Sequence, residues 1–325
     1  MIIRKNFVSL ISVVLCAVSM SAQNPHKQML STNFGLASPQ PENTLPKSTV
    51  PVQMPERVAK VAAETVLRPM AENRWEVTSG WELCEGDKVM TDDWFNATVP
   101  GTVLTTLVNQ GVYPDPYYGL NNLAIPDDLC RKDWWYRCGI SLSDEMLEKE
   151  TLEIIFNGIN YKADIWFNGV KVGNIAGAFI RGRFDITPLA KPENQLYVHI
   201  YPPANPGIPH EQSPSAGGGK NGGAMCLDGP TFFCSEGWDW IPGVRDRNIG
   251  IWQDVQLLAT DGIAFSDTKV VTDLPLPDVS YADITVTAYL KNSLDVDKKV
   301  VVSGTTDGIE FLAEAVVPAK SQIPV

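Results

Sequence analysis

The stretch Ala163-Asp164-Ile165-Trp166-Phe167-Asn168-Gly169-Val170-Lys171-Val172-Gly173 decides the fold. Apolar and polar residues alternate on both sides of Asn168-Gly169, the pattern of a strand whose two faces meet different surroundings. Asn-Gly supplies two residues that tolerate positive φ, as a two-residue turn between twisted antiparallel strands requires. The stretch therefore predicts a β-hairpin. Working outward, Leu152-Glu153-Ile154-Ile155-Phe156 precedes it, and Phe184-Asp185-Ile186-Thr187 and Gln195-Leu196-Tyr197-Val198-His199-Ile200 follow. Trp81-Glu82-Leu83-Cys84 and Trp134-Trp135-Tyr136-Arg137-Cys138 read as earlier strands, with a short helix near Thr105 to Gln110 between them. Short strands at this spacing predict an all-β fold, a β-sandwich of jelly-roll type over residues 73–260.

Composition agrees. The chain has 325 residues, 44% hydrophobic, with 25 glycines and 24 prolines, so it can bury a sizeable core but is punctuated too often for long helices. At ~150 residues per domain the length suggests about two domains. Twenty-six basic against 38 acidic residues give a net charge of −12, which argues against a nucleic-acid surface.

The N-terminus reads as a signal peptide over residues 1–22. Arg4 and Lys5 form the basic region, Phe7 to Val18 the apolar one, and Ser19, Ser21 and Ala22 offer cleavage before Gln23. A secreted or periplasmic location follows. No apolar run is long enough for a membrane span. Residues 23–72, rich in Pro, Ser, Gln, Asn and Thr, read as an exposed linker, with Val58 to Leu67 as one short helix. After Thr260 a second module begins. Thr268-Lys269-Val270-Val271-Thr272, Ala282 to Leu290 and Lys298 to Val302 alternate as half-buried strands. An immunoglobulin-like sandwich needs roughly seven strands in ~100 residues. Residues 261–325 are too few, so this second β-sandwich is expected to be truncated.

Function is concentrated in one loop, Gly237 to Val255, which carries Trp238, Asp239, Trp240, Arg245, Asp246, Arg247 and Trp252. Gly and Pro interrupt it, and its bulky groups follow neither the helical nor the strand period. Indole faces beside a carboxylate suit a sugar, since pyranose C–H faces stack on aromatics and hydroxyls need hydrogen-bond partners. The competing reading is a structural plug over one end of the sandwich, with Arg245, Asp246 and Arg247 forming a local salt bridge. The glycine run Gly217 to Gly223 lacks the strand and helix of a phosphate loop and reads as a flexible flap beside the Trp-rich loop. Five cysteines remain after Cys16 is removed: Cys84, Cys130, Cys138, Cys226 and Cys234. Export permits disulfides within Cys130/Cys138 or Cys226/Cys234, but buried free thiols are the preferred reading. His26, His199 and His210 show no metal-site spacing, so neither metal nor cofactor is expected.

Several separated segments resemble the N-terminal region of glycoside hydrolase family 2. They are Val99-Pro100-Gly101-Thr102, Tyr117-Tyr118-Gly119-Leu120-Asn121, Asn157 to Gly169, and Gly237-Trp238-Asp239-Trp240-Ile241 followed by Arg245-Asp246-Arg247-Asn248. The last pair is typical of the branch with exo-β-glucosaminidases and mannosylglycoprotein endo-β-mannosidases. The resemblance implies a galactose-binding-like jelly roll, an immunoglobulin-like sandwich, and a C-terminal catalytic barrel carrying two glutamates for retaining hydrolysis. Those glutamates are expected after position 325, leaving this chain without catalytic residues. By the same resemblance Asp239 would hydrogen-bond a sugar hydroxyl and Trp238 or Trp240 would wall the pocket. Arg245, Asp246 and Arg247 would brace the loop, and Trp252 would sit in the core. The implied partners are a β-linked glucosaminide or mannoside and the barrel. A stand-alone carbohydrate-binding module without hydrolase activity is the alternative, and a purely structural sandwich a third.

Overall fold

A computed structural model describes residues 54–71, 73–89, 91, 93–119, 121–206 and 245–325. The expected signal peptide, the glycine run, Cys226 and Cys234 lie outside the described residues.

The hairpin forms as the sequence predicts. Strands β7 (Lys162–Phe167) and β8 (Val170–Ala176) pair antiparallel through Asn168 and Gly169, at φ 50° and 80°. The turn is also tied to β10 (Glu193–Ile200). The Asn168 side chain accepts from Gln195 N at 2.9 Å and donates to Leu189 O at 2.8 Å. Two antiparallel sheets then face each other. One is ordered β4 (Phe95–Asn96), β3 (Glu82–Glu85), β5 (Trp134–Ser141), β10, β7, β8. The other is ordered β1 (Leu67–Ala71), β2 (Arg74–Val77), β11 (Val255–Thr260), β6 (Thr151–Phe156), β9 (Gly182–Asp185).

Alternation places Ile165, Phe167, Leu196, Val198 and Ile200 from one sheet against Leu152, Ile154, Phe156 and Leu257 from the other, with Trp81 and Tyr136 in the same core. Each fully buried side chain of this size contributes about 1.5–3 kcal/mol. Every residue of β6 is buried, on both faces.

The stretch expected to form a helix, Val58 to Leu67, forms none: residues 58–66 are irregular and Leu67 opens a strand. A lone helix of this length is marginal in water. Here the backbone finds partners on the sandwich: Val58 N donates to Gln110 O at 3.2 Å, and Asn96 Nδ2 donates to Val61 O at 2.7 Å. The following residues form β1 at the edge of the five-stranded sheet, where Pro69 costs no interior ladder bond and the register shifts between Pro69 and Ala71. The helix expected near Thr105 is α1 (Val103–Asn109).

Beyond Thr260, β12 (Ile263–Asp273), β13 (Asp283–Asn292) and β16 (Gln322–Pro324) form one sheet. A second sheet pairs β14 (Lys298–Thr306) with β15 (Ile309–Val317). The buried Asn292 links them, its Nδ2 donating to Val296 O at 2.9 Å and Val317 O at 3.0 Å. Thr268 to Thr272, read as half-buried, is exposed on both faces. This module meets the sandwich through Glu153 on the outer face of β6. Lys291 Nζ lies 2.6 Å from its Oε1, and Arg183 of β9 pairs with its Oε2.

Candidate functional site

The described part of the Trp-rich loop, Arg245 to Trp252, is an anchor sewn to two other segments. Ile249 and Ile251 accept from Val103 N and Gly101 N, both at 2.8 Å. Gly250 and Asn160 exchange bonds of 2.9 and 3.2 Å. Gly250 lies at φ 149°, and a Cβ there would stand 2.7 Å from Gly101 O and Thr102 Cα, so only glycine fits between the two partners. Arg247 and Asn248 lie at φ 54° and 56°, left-handed conformations that the surroundings must hold. Asn160, 1% exposed, holds them by donating its Nδ2 to Arg247 O at 3.1 Å and Asn248 O at 2.9 Å.

Asp246 is fully buried. Its Oδ2 accepts from Leu104 N at 2.7 Å and its Oδ1 from Asn248 N at 2.8 Å. The first N–H groups of α1 are thereby satisfied: Val103 by Ile249, Leu104 by Asp246 and Thr105 by the Thr102 hydroxyl at 3.1 Å. Burial pushes the Asp246 carboxyl above its usual range, against the opposing pull of the Leu104 and Asn248 N–H groups, the Thr102 hydroxyl and nearby Arg247. Burial also raises the Tyr136 phenol, with Asp246 adding to the effect.

Arg247, also fully buried, reaches away from Asp246. Its Nη2 is 2.8 Å from Asp127 Oδ1, its Nε donates to Pro206 O at 2.8 Å and its Nη1 to Arg245 O at 3.4 Å. Arg245 donates Nε to Asn122 O at 3.2 Å. The local salt bridge considered from sequence thus gives way to longer connections: Asp246 serves backbone N–H groups and Arg247 pairs across to Asp127. Trp252 is half-buried, not fully in the core. Its Nε1 donates to Ala178 O at 3.0 Å, and Phe179 packs edge-on against it with centroids 5.8 Å apart.

Trp238, Asp239 and Trp240 lie outside the described residues. Chemically, the anchor holds and orients. Asp246 has both oxygens engaged and no solvent exposure, so it cannot meet a substrate. Among the described residues no group of three His, Cys, Asp or Glu side chains could hold a metal ion. Tyr117 and Tyr118 entered the sequence reading only within the segment that carries the family resemblance. They are 96% and 75% exposed, in the loop whose Asn122 carbonyl takes the Arg245 bond. That loop is shaped by Asp115, which accepts from Tyr117 N at 2.9 Å and, through its carbonyl, from Asn121 Nδ2 at 2.9 Å.

Comparison with known proteins gives a consistent picture. The family described as glycosyl hydrolase 2 galactose-binding domain-like matches residues 75–253. A mannosylglycoprotein endo-β-mannosidase of Lilium longiflorum is 35% identical over 210 residues, covering 63% of this chain and 21% of the relative. An exo-β-D-glucosaminidase of Streptomyces avermitilis is 29% identical over 222 residues, covering 67% and 22%. Among solved structures, an exo-chitosanase of Amycolatopsis orientalis superposes with a TM-score of 0.62 at 25% identity, over 78% of this chain and 28% of that one. The chain thus spans about a fifth of the length of the curated relatives it matches.

Proposed function

Because this chain belongs to glycoside hydrolase family 2, we propose that it is the non-catalytic N-terminal part of an exported hydrolase of β-linked glucosaminides or mannosides. It contributes a loop to the substrate pocket and works with a C-terminal catalytic barrel. The observation that carries the reading is the anchor at Arg245–Ile251. Two arginines and an aspartate, almost wholly buried, are committed to backbone groups and to Asp127, beginning five residues after Trp240 in the chain. Such a base suits a group that must be held still to recognise a sugar. Asp239 then takes a sugar hydroxyl, Trp238 and Trp240 wall the subsite, and the exposed faces of Tyr117 and Tyr118 extend it.

The test is twofold. Residues 23–325, purified and incubated with chromogenic β-D-glucosaminide and β-D-mannoside, should give no turnover, and turnover would overturn the non-catalytic assignment. In the intact enzyme, Asp239→Ala should raise KM about tenfold or more, the loss of one charged hydrogen bond worth ~1.5–3 kcal/mol. An unchanged KM removes Asp239 from the pocket. Glycan affinity of the isolated chain, lost in Asp239→Ala, would instead mark a free-standing binding module.

A further inference from the structure

Three arginines meet a cleft of about 420 Å³ where the outer face of the five-stranded sheet approaches β12. Arg74 comes from β2, Arg181 from just before β9 and Arg183 from β9 itself. Their roles differ. Arg183 is fully committed: Nε and Nη2 go to Glu153, and Nη1 donates to Phe265 O at 3.2 Å and Ser266 O at 3.3 Å. Those carbonyls belong to the irregularity between Phe265 and Asp267 that shifts the β12 register, a kind of feature that re-aims groups beside functional sites.

Arg74 donates Nη1 to the neutral Gln256 Oε1 at 2.6 Å. Burial and the neighbouring Arg183 and Arg181 charges lower its pKa, against the opposing pull of Glu153 and Asp254. Arg181 pairs with Asp267 at 2.9 Å, but the two side chains are 50% and 67% exposed, and such a pair is weak and exchangeable. The other carboxylate lining the cleft, Asp254, already accepts from Asn157 at 3.0 Å and from Gln256. The lining thus sets Arg74, Arg181 and Arg183 beside Asp254 and Asp267, with Glu153 balancing Arg183 from behind, so Arg74 is the guanidinium whose side-chain acceptor is a neutral amide. Gln253 and Thr268 add amide and hydroxyl groups to a lining that is chiefly polar. The volume lies in the ~300–1,000 Å³ range of small-ligand clefts.

We infer that this cleft binds a small hydrophilic anion, a polyol carrying one carboxylate or phosphate. Arg74 and Arg181 are its charged arms, and Arg183, fixed by Glu153, is the brace behind them. Guanidinium forks match both oxyanions in bidentate fashion, and the hydroxyl and amide groups take the polyol body.

Isothermal titration of the full chain at low salt tests this, using D-glucuronate, glucose 6-phosphate and glucose as probes. The expected result is saturable binding of at least one anionic probe, none of glucose, and at least tenfold weaker binding in both Arg74→Gln and Arg181→Gln. Which acid binds tells carboxylate from phosphate. Arg181 is half exposed, so its variant keeps the fold and remains informative should Arg74→Gln not fold. Absence of saturable binding by both anions, or unchanged affinity in the folded variants, would overturn the inference.

Discussion

Replacing Glu153 by alanine should uncouple the second module from the sandwich and lower the stability of the whole chain. The carboxylate is 4% exposed and is shared by Arg183 and Lys291. Removing one member of a buried ion pair costs about 3–5 kcal/mol, because the partner is left buried and unpaired. Arg183 would lose the acceptor of two N–H groups at 17% exposure, whereas Lys291, at 39%, regains water. The lower end, about 3 kcal/mol, is therefore expected. At about 2–4 °C per kcal/mol this lowers Tm by roughly 6–12 °C by scanning calorimetry. The pH dependence gives a second readout. Burial raises the Glu153 pKa, but bonds from Lys291 and Arg183 outweigh it and the net shift is downward. A depressed carboxyl pKa stabilises the folded state above the unfolded value of about 4.3, and that contribution is lost as pH falls through the folded value. The gap between wild type and Glu153→Ala should thus be full near neutrality and close in acid. Identical Tm values at neutral pH, or a gap that persists undiminished in acid below the folded pKa, would refute the reasoning.

Asp246→Ala strips the Leu104 and Asn248 N–H groups of their acceptor in a fully buried site and should cost about 2–4 kcal/mol, read as a lower urea midpoint. A midpoint unchanged from wild type would show that water replaces the carboxylate there. Burial pushes the thiols of Cys84 and Cys130 up to about 11 and that of Cys138 to about 12, so alkylation at pH 8, mapped by peptide mass spectrometry, should be slow in the native chain and fast in urea. Rapid native labelling of any of the three would contradict their burial. Residues 261–325 alone should aggregate, since Val301, Ile309, Leu312 and Val316 are each more than half exposed; a cooperative thermal transition of that segment would be the contrary result.

How much of this was legible in the sequence depends on how far each interaction reaches. The β7–β8 hairpin was readable because its signal, alternation around Asn168-Gly169, is complete within eleven residues. β1 was not, because Pro69 spoils the strand pattern and only the edge position makes it acceptable. Nothing within Leu152-Glu153-Ile154-Ile155-Phe156 sets Glu153 apart. What buries it includes Lys291, 138 residues later. The run Arg245-Asp246-Arg247 announced itself by composition, yet its partners Asp127, Leu104 and Asn160 follow no local rule. The arginine cleft draws on positions 74, 181 and 183, which no motif connects.

The irregular edge strand has a consequence for the molecule in company. The outermost strand of an open sheet presents a row of unused N–H and C=O groups, on which another chain can extend the sheet. In β1 a prolyl ring takes away one donor, and the shifted register between Pro69 and Ala71 breaks the spacing of the rest. A second copy arriving at that side finds no continuous ladder to join. At this edge, the same residues that hid the strand from a pattern reading interrupt the ladder that sheet extension would need.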